Sequence, residues 1–336
     1  MNYEIISKHR TELMGAAIIG ILFCHLRECL EIHDVFVPSL ISLFSRGICG
    51  VDIFMLLSGF GLYYSYRNNS NIHEFYKNRI FRLLPAYFIV AIPYWLIIDI
   101  FRAQKPFYEF LKDLLFISFF QKGTSIFWFI PAIFIFSLIF PILWSFLFGK
   151  CLSGIDSIGV KTCFLLTAAI AVDSLCLNLI PWYQNITIMA GRFPAFIIGI
   201  YLGYKSYLKE EISIFMLLLI PGVKILLHFL YNIPALNNFL NLFNIHYLDT
   251  VLGLLVFEIL LIILNFFDPT IISKPLILLG QITLEVYLLH MALLTLFENP
   301  ANYCWYVIIC VITPTITGWI LHCMLEKREK FFPFSF

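Results

Sequence analysis

Charge is what this sequence has least of. Asp, Glu, Lys and Arg make up 13% of the residues, 61% are hydrophobic, and the mean hydropathy is +0.89. A soluble domain carries about 25% charged residues, so a water-soluble globular enzyme is excluded. The net charge of +1 gives no field for a polyanion, which excludes a nucleic acid as partner. A disulfide framework is missing too. The nine cysteines are odd in number, show no CxxC spacing, and five of them (Cys24, Cys163, Cys176, Cys310 and Cys323) sit inside apolar runs. They read as small buried hydrophobes, with no metal site implied. The first apolar run lacks an A-x-A cleavage site and continues into Cys29 and Leu30, so it is expected to be a retained signal-anchor helix. No internal repeat divides the chain into similar halves, which counts against an inverted-repeat transporter.

What is present is a succession of apolar runs. Each is about 20 residues long, enough to cross a hydrocarbon core of about 30 Å as a helix, the one spanning element that satisfies its own backbone. The fold class is therefore all-α, a polytopic transmembrane helical bundle. About ten helices are expected, at 12–32, 48–66, 80–101, 126–148, 161–180, 193–207, 211–230, 248–267, 275–298 and 304–325. Residues 106–121 are shorter and amphipathic, and read as one interfacial or half-inserted helix. With the N-terminus inside, 14 of the 22 Lys and Arg fall on the cytoplasmic side, seven fall outside, and Lys224 lies within a helix. That bias places both termini in the cytoplasm. The outer stretch YNIPALNNFLNLFNIHY, residues 231–247, carries five asparagines among aromatics. It suits either a sugar-facing surface or an ordinary asparagine-rich loop.

Ionisable groups inside such runs cost roughly 2.5 kcal/mol or more for charged types, so each asks for a reason. LMGAAIIGILFCHL, residues 13–26, places His25 at membrane depth. In KNRIFRLLP, residues 77–85, Arg79 and Arg82 are three apart and share a helix face. They serve either as a topology anchor or, with free N–H groups of a helix N-terminus, as an anion site. Asp52, near the outer start of the second helix, is either a capping carboxylate or functional. Glu285 and His290 share the ninth helix but stand about 140° apart around it. Asp173, Lys224, His228 and Glu258 are further intramembrane ionisables for which helix pairing and function are both open, with Lys224 a candidate partner for Glu258 or Glu285.

Taken in order, His25 at the end of the first helix, GVDIFMLLSGF at 50–60, RIFRLLPAY at 79–87, FWFIPAIFIFSLIFP at 127–141, RFPAFIIGIYLG at 192–203 and LGQITLEVYLLH at 279–290 resemble the integral-membrane acyltransferase 3 family, which includes bacterial polysaccharide O-acetyltransferases. The resemblance implies a single integral-membrane acyltransferase domain over residues 1–336, multi-pass in the cell (inner or plasma) membrane. It would move an acyl group, usually acetyl, from cytoplasmic acyl-CoA to a hydroxyl of a surface or lipid-linked glycan. Acetyl-CoA is then a donor substrate, with no cofactor bound permanently, no metal, and membrane lipid around the protein. By the same resemblance the catalytic candidate is His25, and Glu285 and His290 join it as ionisable residues at membrane depth. The donor-binding candidates are Arg79 and Arg82, with Arg10. Many members have an arginine eleven residues before the histidine, where this chain has Met14, and Arg10 lies one turn earlier on a similar face. Asp52, Trp128 and Arg192 are the candidates for contacting the acceptor. Trp128 leads into Phe129, Ile130 and Pro131, where many members have a glutamate. As general base, a neutral imidazole suits proton removal from a hydroxyl at neutral pH, and as nucleophile it could carry the acyl group. The competing class is a polytopic transporter or flippase of a glycan or lipid.

Overall fold

The computed structural model describes residues 2–32, 49–123, 125–149, 157–231, 233, 242–266, 270–297 and 303–331. Every regular element among them is helical, apart from one isolated bridge between Asn2 and Glu211. The helices are α1 (Glu4–Lys8), α2 (Arg10–Ile32), α3 (Cys49–Asn68), α4 (Ile72–Trp95, continuing as a π-helical segment Leu96–Arg102), α5 (Phe107–Leu114), α6 (Ile117–Lys122), α7 (Phe129–Phe148), α8 (Ile158–Leu179), α9 (Thr187–Ala190) and α10 (Phe193–Tyr207). They continue with α11 (Ile214–Tyr231), α12 (His246–Phe266), α13 (Thr270–Gln281), α14 (Thr283–Leu296), α15 (Tyr303–Val307) and α16 (Thr313–Phe331).

Each of the ten stretches expected to span falls on a helix. Among the described residues seven segments are long and apolar enough to cross a membrane: Arg10–Leu30, Ile72–Arg102, Phe129–Phe148, Ile158–Leu179, Pro181–Tyr207, His246–Phe266 and Trp305–Glu326. The chain is an all-α polytopic bundle. The stretch expected as one straight ninth helix is a bent pair. Ser273–Gln281 and Thr283–Leu296 meet at 74°, and counting them as one span gives eight. The bend lies where α13 meets α2. A Cβ on Gly280 would strike the Thr11 carbonyl of α2, and one on Gly15 would strike the Leu276 carbonyl of α13, so the two backbones are in direct contact there. Ile282 then leaves helical geometry (φ −106°, ψ 16°), and α14 turns to pack on α4 and α16.

At the centre lies α3. Val51, Phe54, Met55, Leu57, Phe60 and Leu62 point in all directions around it and all are buried, the mark of a helix with no solvent or lipid face. Its neighbours are α2, α7, α10 and α12. On α2 the buried residues Leu13, Ala17, Ile18, Ile21 and Leu22 recur at three- and four-residue spacing and form the stripe that meets this core.

Two expectations change. Residues 106–121 form two short helices instead of one, because Phe116 sits in the left-handed region (φ 62°) and breaks the path between α5 and α6. Phe110 and Leu114 face the protein while Lys112 bridges Glu109 at 2.8 Å on the open side, which holds the Glu109 carboxyl below the usual carboxylate range. Of the cysteines, Cys24 and Cys310 are buried as expected, but Cys163 is exposed on α8. An outward thiol costs little where the surrounding medium is hydrocarbon. Most of the 231–247 stretch and the side chains of Lys224 and His228 lie outside the described residues.

Candidate functional site

One helix carries both ends of the site. From Arg10 to His25 on α2 is fifteen residues, about 22 Å at 1.5 Å per residue. The two therefore sit at opposite ends of a membrane-length element.

At the first end Arg10 meets Arg79 and Arg82 of α4. Arg79 lies within the field of both other guanidiniums, and Arg10 within that of Arg82. Arg10 lies against Gly61 of α3, where a Cβ would be 2.5 Å from its Nη2, and it donates a long bond of 3.4 Å to the Leu57 carbonyl. The Arg79 guanidinium is 5.8 Å from the Phe75 ring centroid, and Arg82 is exposed. The Nε atoms of Arg10 and Arg79 are buried without a hydrogen-bond partner. Among the described residues no carboxylate pairs with any of the three. The acid nearest in sequence, Glu12, is engaged elsewhere, receiving a bond from the Ser273 hydroxyl at 3.1 Å and lying 3.2 Å from His9 Nδ1.

The helix N-terminus expected beside these arginines is not there. α4 starts at Ile72, capped by Asn71, whose side chain accepts from the backbone N–H groups of His73 and Glu74. Asparagine is among the strongest N-caps, so the helix begins two turns earlier than the basic cluster. Arg79 and Arg82 are interior helix residues, and the cluster offers guanidinium N–H groups alone.

At the other end, His25 is partly buried and its Nδ1 lies 2.9 Å from Glu28 Oε2. The Cys24 thiol reaches Glu28 Oε1 at 3.6 Å. The His25 ring is 5.4 Å, centroid to centroid, from that of His290. His290 is fully buried, its Nδ1 lies 3.1 Å from the Val286 carbonyl, and its Nε2 has no partner. The Tyr287 ring lies 5.5 Å from His290 and 5.0 Å from Phe129, next to Trp128, which is partly buried at the start of α7.

The 140° between Glu285 and His290 separates them. α14 turns His290 toward α2 and Glu285 toward α16, where His322 Nδ1 lies 3.0 Å from Glu285 Oε1. Glu285 is thus paired with His322, and the expected Lys224 pairing falls on a side chain outside the described residues.

Asp52 and Arg192 meet each other. Arg192 is fully buried at the start of α10, donating from Nη1 to Asp52 Oδ2 at 2.6 Å and from Nη2 to Asp249 Oδ2 at 3.2 Å. The Thr250 hydroxyl supplies Asp52 Oδ1 at 2.7 Å. The network ties α3, α10 and α12 together. Asp173 is likewise satisfied, accepting from the Tyr183 and Tyr247 hydroxyls at 2.6 and 2.5 Å. In the asparagine-rich stretch Asn244 donates to the Thr187 carbonyl and accepts from the His246 N–H, so it is spent on backbone contacts.

Sequence reading missed Glu28, His322, Asp249 and Thr250. Glu28 had a signal, since a position three residues after His25 on a helix faces it. The others are joined only by the fold. Among the described residues no three His, Cys, Asp or Glu side chains converge as a metal set. An apolar groove of about 330 Å³, lined by Val90, Leu289, Leu293, Leu321 and their neighbours, includes none of these polar groups.

Chemically, the first end is a concentration of unneutralised cations suited to phosphates, and the second is a pair of imidazoles suited to proton movement. No curated protein and no solved structure matches the chain. A family model described as an acyltransferase domain matches residues 15–324, a span that takes in His25, Arg79, Arg82 and His290 and nearly the whole bundle. The chain belongs to the acyltransferase 3 family and is a multi-pass membrane acyltransferase.

Proposed function

We propose that the protein is an O-acyltransferase of the cell membrane that takes an acyl group, acetyl in the simplest case, from cytoplasmic acyl-CoA and places it on a hydroxyl of a surface or lipid-linked glycan. The observation that carries this lies along α2: its Arg10 joins Arg79 and Arg82 of α4 in a cluster with no carboxylate among the described residues, and its His25 stands about 22 Å further along the same helix. A donor with phosphates at one end of a long thin arm and a thioester at the other suits that separation. Arg10, Arg79 and Arg82 would hold the phosphates on the cytoplasmic side by charge-assisted hydrogen bonds. Both termini lie on that side in this reading.

The transfer needs a base. A neutral His25 takes the acceptor's hydroxyl proton as the oxygen attacks the thioester carbonyl. The new C–O bond forms, the C–S bond breaks, and the proton passes from the imidazolium to the departing thiolate. Trp128, beside the Phe129 and Tyr287 rings, offers an aromatic face for the acceptor. The Asp52–Arg192 pair holds α3 and α10 together.

The test is transfer of labelled acetyl from acetyl-CoA to membrane glycan in inside-out vesicles. His25→Asn and His25→Gln proteins are expected to insert and bind acetyl-CoA normally but to lose transfer by at least about 100-fold, the lower bound for a positioned base. Near-normal transfer by either variant rejects His25 as catalytic. Wild-type vesicles that move glycan without acylating it make the protein a flippase.

A further inference from the structure

Two imidazoles face each other at the far end of α2, and only one arrangement of their protons leaves His25 a base on the side where a substrate could use it. The hydrogen-bond partners fix that arrangement. A carbonyl oxygen only accepts, so the 3.1 Å contact to Val286 makes Nδ1 the protonated nitrogen of His290 and leaves its buried Nε2 as a bare lone pair. An ionised carboxylate also only accepts, so the 2.9 Å contact to Glu28 makes Nδ1 the protonated nitrogen of His25 and frees its Nε2.

Without Glu28 the balance reverses. The opposite tautomer of His25 carries its proton on Nε2, and the unpartnered Nε2 lone pair of His290, on a ring whose centroid lies 5.4 Å away, would be the acceptor next to it. His290 would then trap His25 in the form that cannot take a proton at Nε2.

We propose that Glu28 is a positioning residue for His25, holding the imidazole in the Nδ1–H tautomer so that Nε2 is the basic atom. This rests on the reading of His25 as general base. Glu28 lies eighteen residues beyond Arg10, about 27 Å along the helix, near the far boundary of a core about 30 Å thick, where an ionised carboxylate is tolerated. Its side chain is 51% exposed, so truncation opens no cavity. An exposed His–Glu pair three residues apart contributes only a few tenths of a kcal/mol to a helix, too little to account for a large loss of rate.

The experiment compares Glu28→Ala, Glu28→Gln and Glu28→Asp in purified protein in lipid nanodiscs, reading acetyl transfer and, separately, the 15N spectrum of histidine-labelled protein. The His25 signals are assigned by their loss in His25→Gln. Glu28→Ala is expected to lower kcat by about 10- to 100-fold, the range lost when the group orienting a functional imidazole is removed. KM for acetyl-CoA should stay unchanged, Glu28→Asp should recover part of the rate, and the His25 signals should move from the Nδ1–H toward the Nε2–H pattern. Unchanged kcat in Glu28→Ala overturns the proposal. So does a lowered kcat with the tautomer unmoved. If His25→Gln itself keeps transfer, the base reading has failed, and the tautomer result still reports on what Glu28 does to the ring.

Discussion

The bundle holds two arginine sites of opposite character. Arg192 is fully buried and faces two carboxylates, with Thr250 completing the hydrogen bonds of Asp52. Arg10, Arg79 and Arg82 face one another, and among the described residues no carboxylate joins them. Both are costly inside a membrane protein. The first cost is met within the fold in charge: Arg192 Nε, like those of Arg10 and Arg79, is buried without a partner, but the guanidinium's charge faces two carboxylates. The second is left open, and three like charges drawn together are relieved only by an anion from outside. The difference teaches that the partners of an arginine, more than its depth, separate a structural role from a binding role.

Breaking the closed site should have the larger effect. Arg192→Ala leaves Asp52 buried without its cation, and removing one partner of a buried pair typically costs 3–5 kcal/mol. The expected result is a large fall in thermal stability and in the yield of folded protein from membranes, and Arg192→Met combined with Asp52→Asn should recover part of it. A stable Arg192→Ala protein that has lost only acceptor binding would move Arg192 back among the substrate contacts.

Opening the other site further should leave the fold alone. Arg82 is exposed, so Arg82→Ala should keep the unfolding temperature of the empty protein while removing a charge-assisted contact worth roughly 1.5–3 kcal/mol, about 10- to 150-fold in acyl-CoA affinity. Arg82→Lys should restore part of it, because an ammonium cannot make the planar two-point contact. Equal acetyl-CoA binding by wild type and Arg82→Ala in equilibrium dialysis would reduce the cluster to a topology anchor.

The same contrast explains what could be read from the sequence. Hydropathy and length are local, so each stretch expected to span falls on helical residues, though seven or eight of the ten qualify as spans among the described residues, and the arginine pair was visible because residues three apart on a helix share a face. The bend at Ile282 was not visible, because it depends on Gly280 meeting Thr11 some 270 residues away. The start of α4 was missed because hydropathy begins later than the helix, while the Asn71 cap that starts it is a polar signal. Asp52 and Arg192 each stood out as charges at membrane depth, but nothing in the spacing said that they belong to each other. Glu285 and His290 were legible as a divergent pair, and the fold alone decides that one faces His322 and the other His25.

The smallest effect is the most discriminating, because its sign differs between the two sites. Arg79 has no hydrogen-bond partner on its Nε, sits beside two other cations, and lies over the Phe75 ring. Methionine keeps much of its length and its apolar stem while removing the charge. In the empty protein the change removes repulsion and the cost of desolvating an unpaired cation, at the expense of a cation–π contact of about 0.5–1 kcal/mol. Arg79→Met should therefore unfold at the same temperature as the wild type or slightly above it, measured without ligand. With acetyl-CoA added at 100 times its wild-type dissociation constant, the wild type should gain about 2.7 kcal/mol by linkage, and the variant much less. The two unfolding curves should cross as ligand is added, the wild type below or level at first and above at the end. At the closed site no such crossing is possible, since Arg192 loses its partners' compensation in every condition. A ligand-free Arg79→Met protein less stable than wild type by more than about 1 kcal/mol would show that the cluster, too, is satisfied within the fold, and the distinction between the two sites would fall.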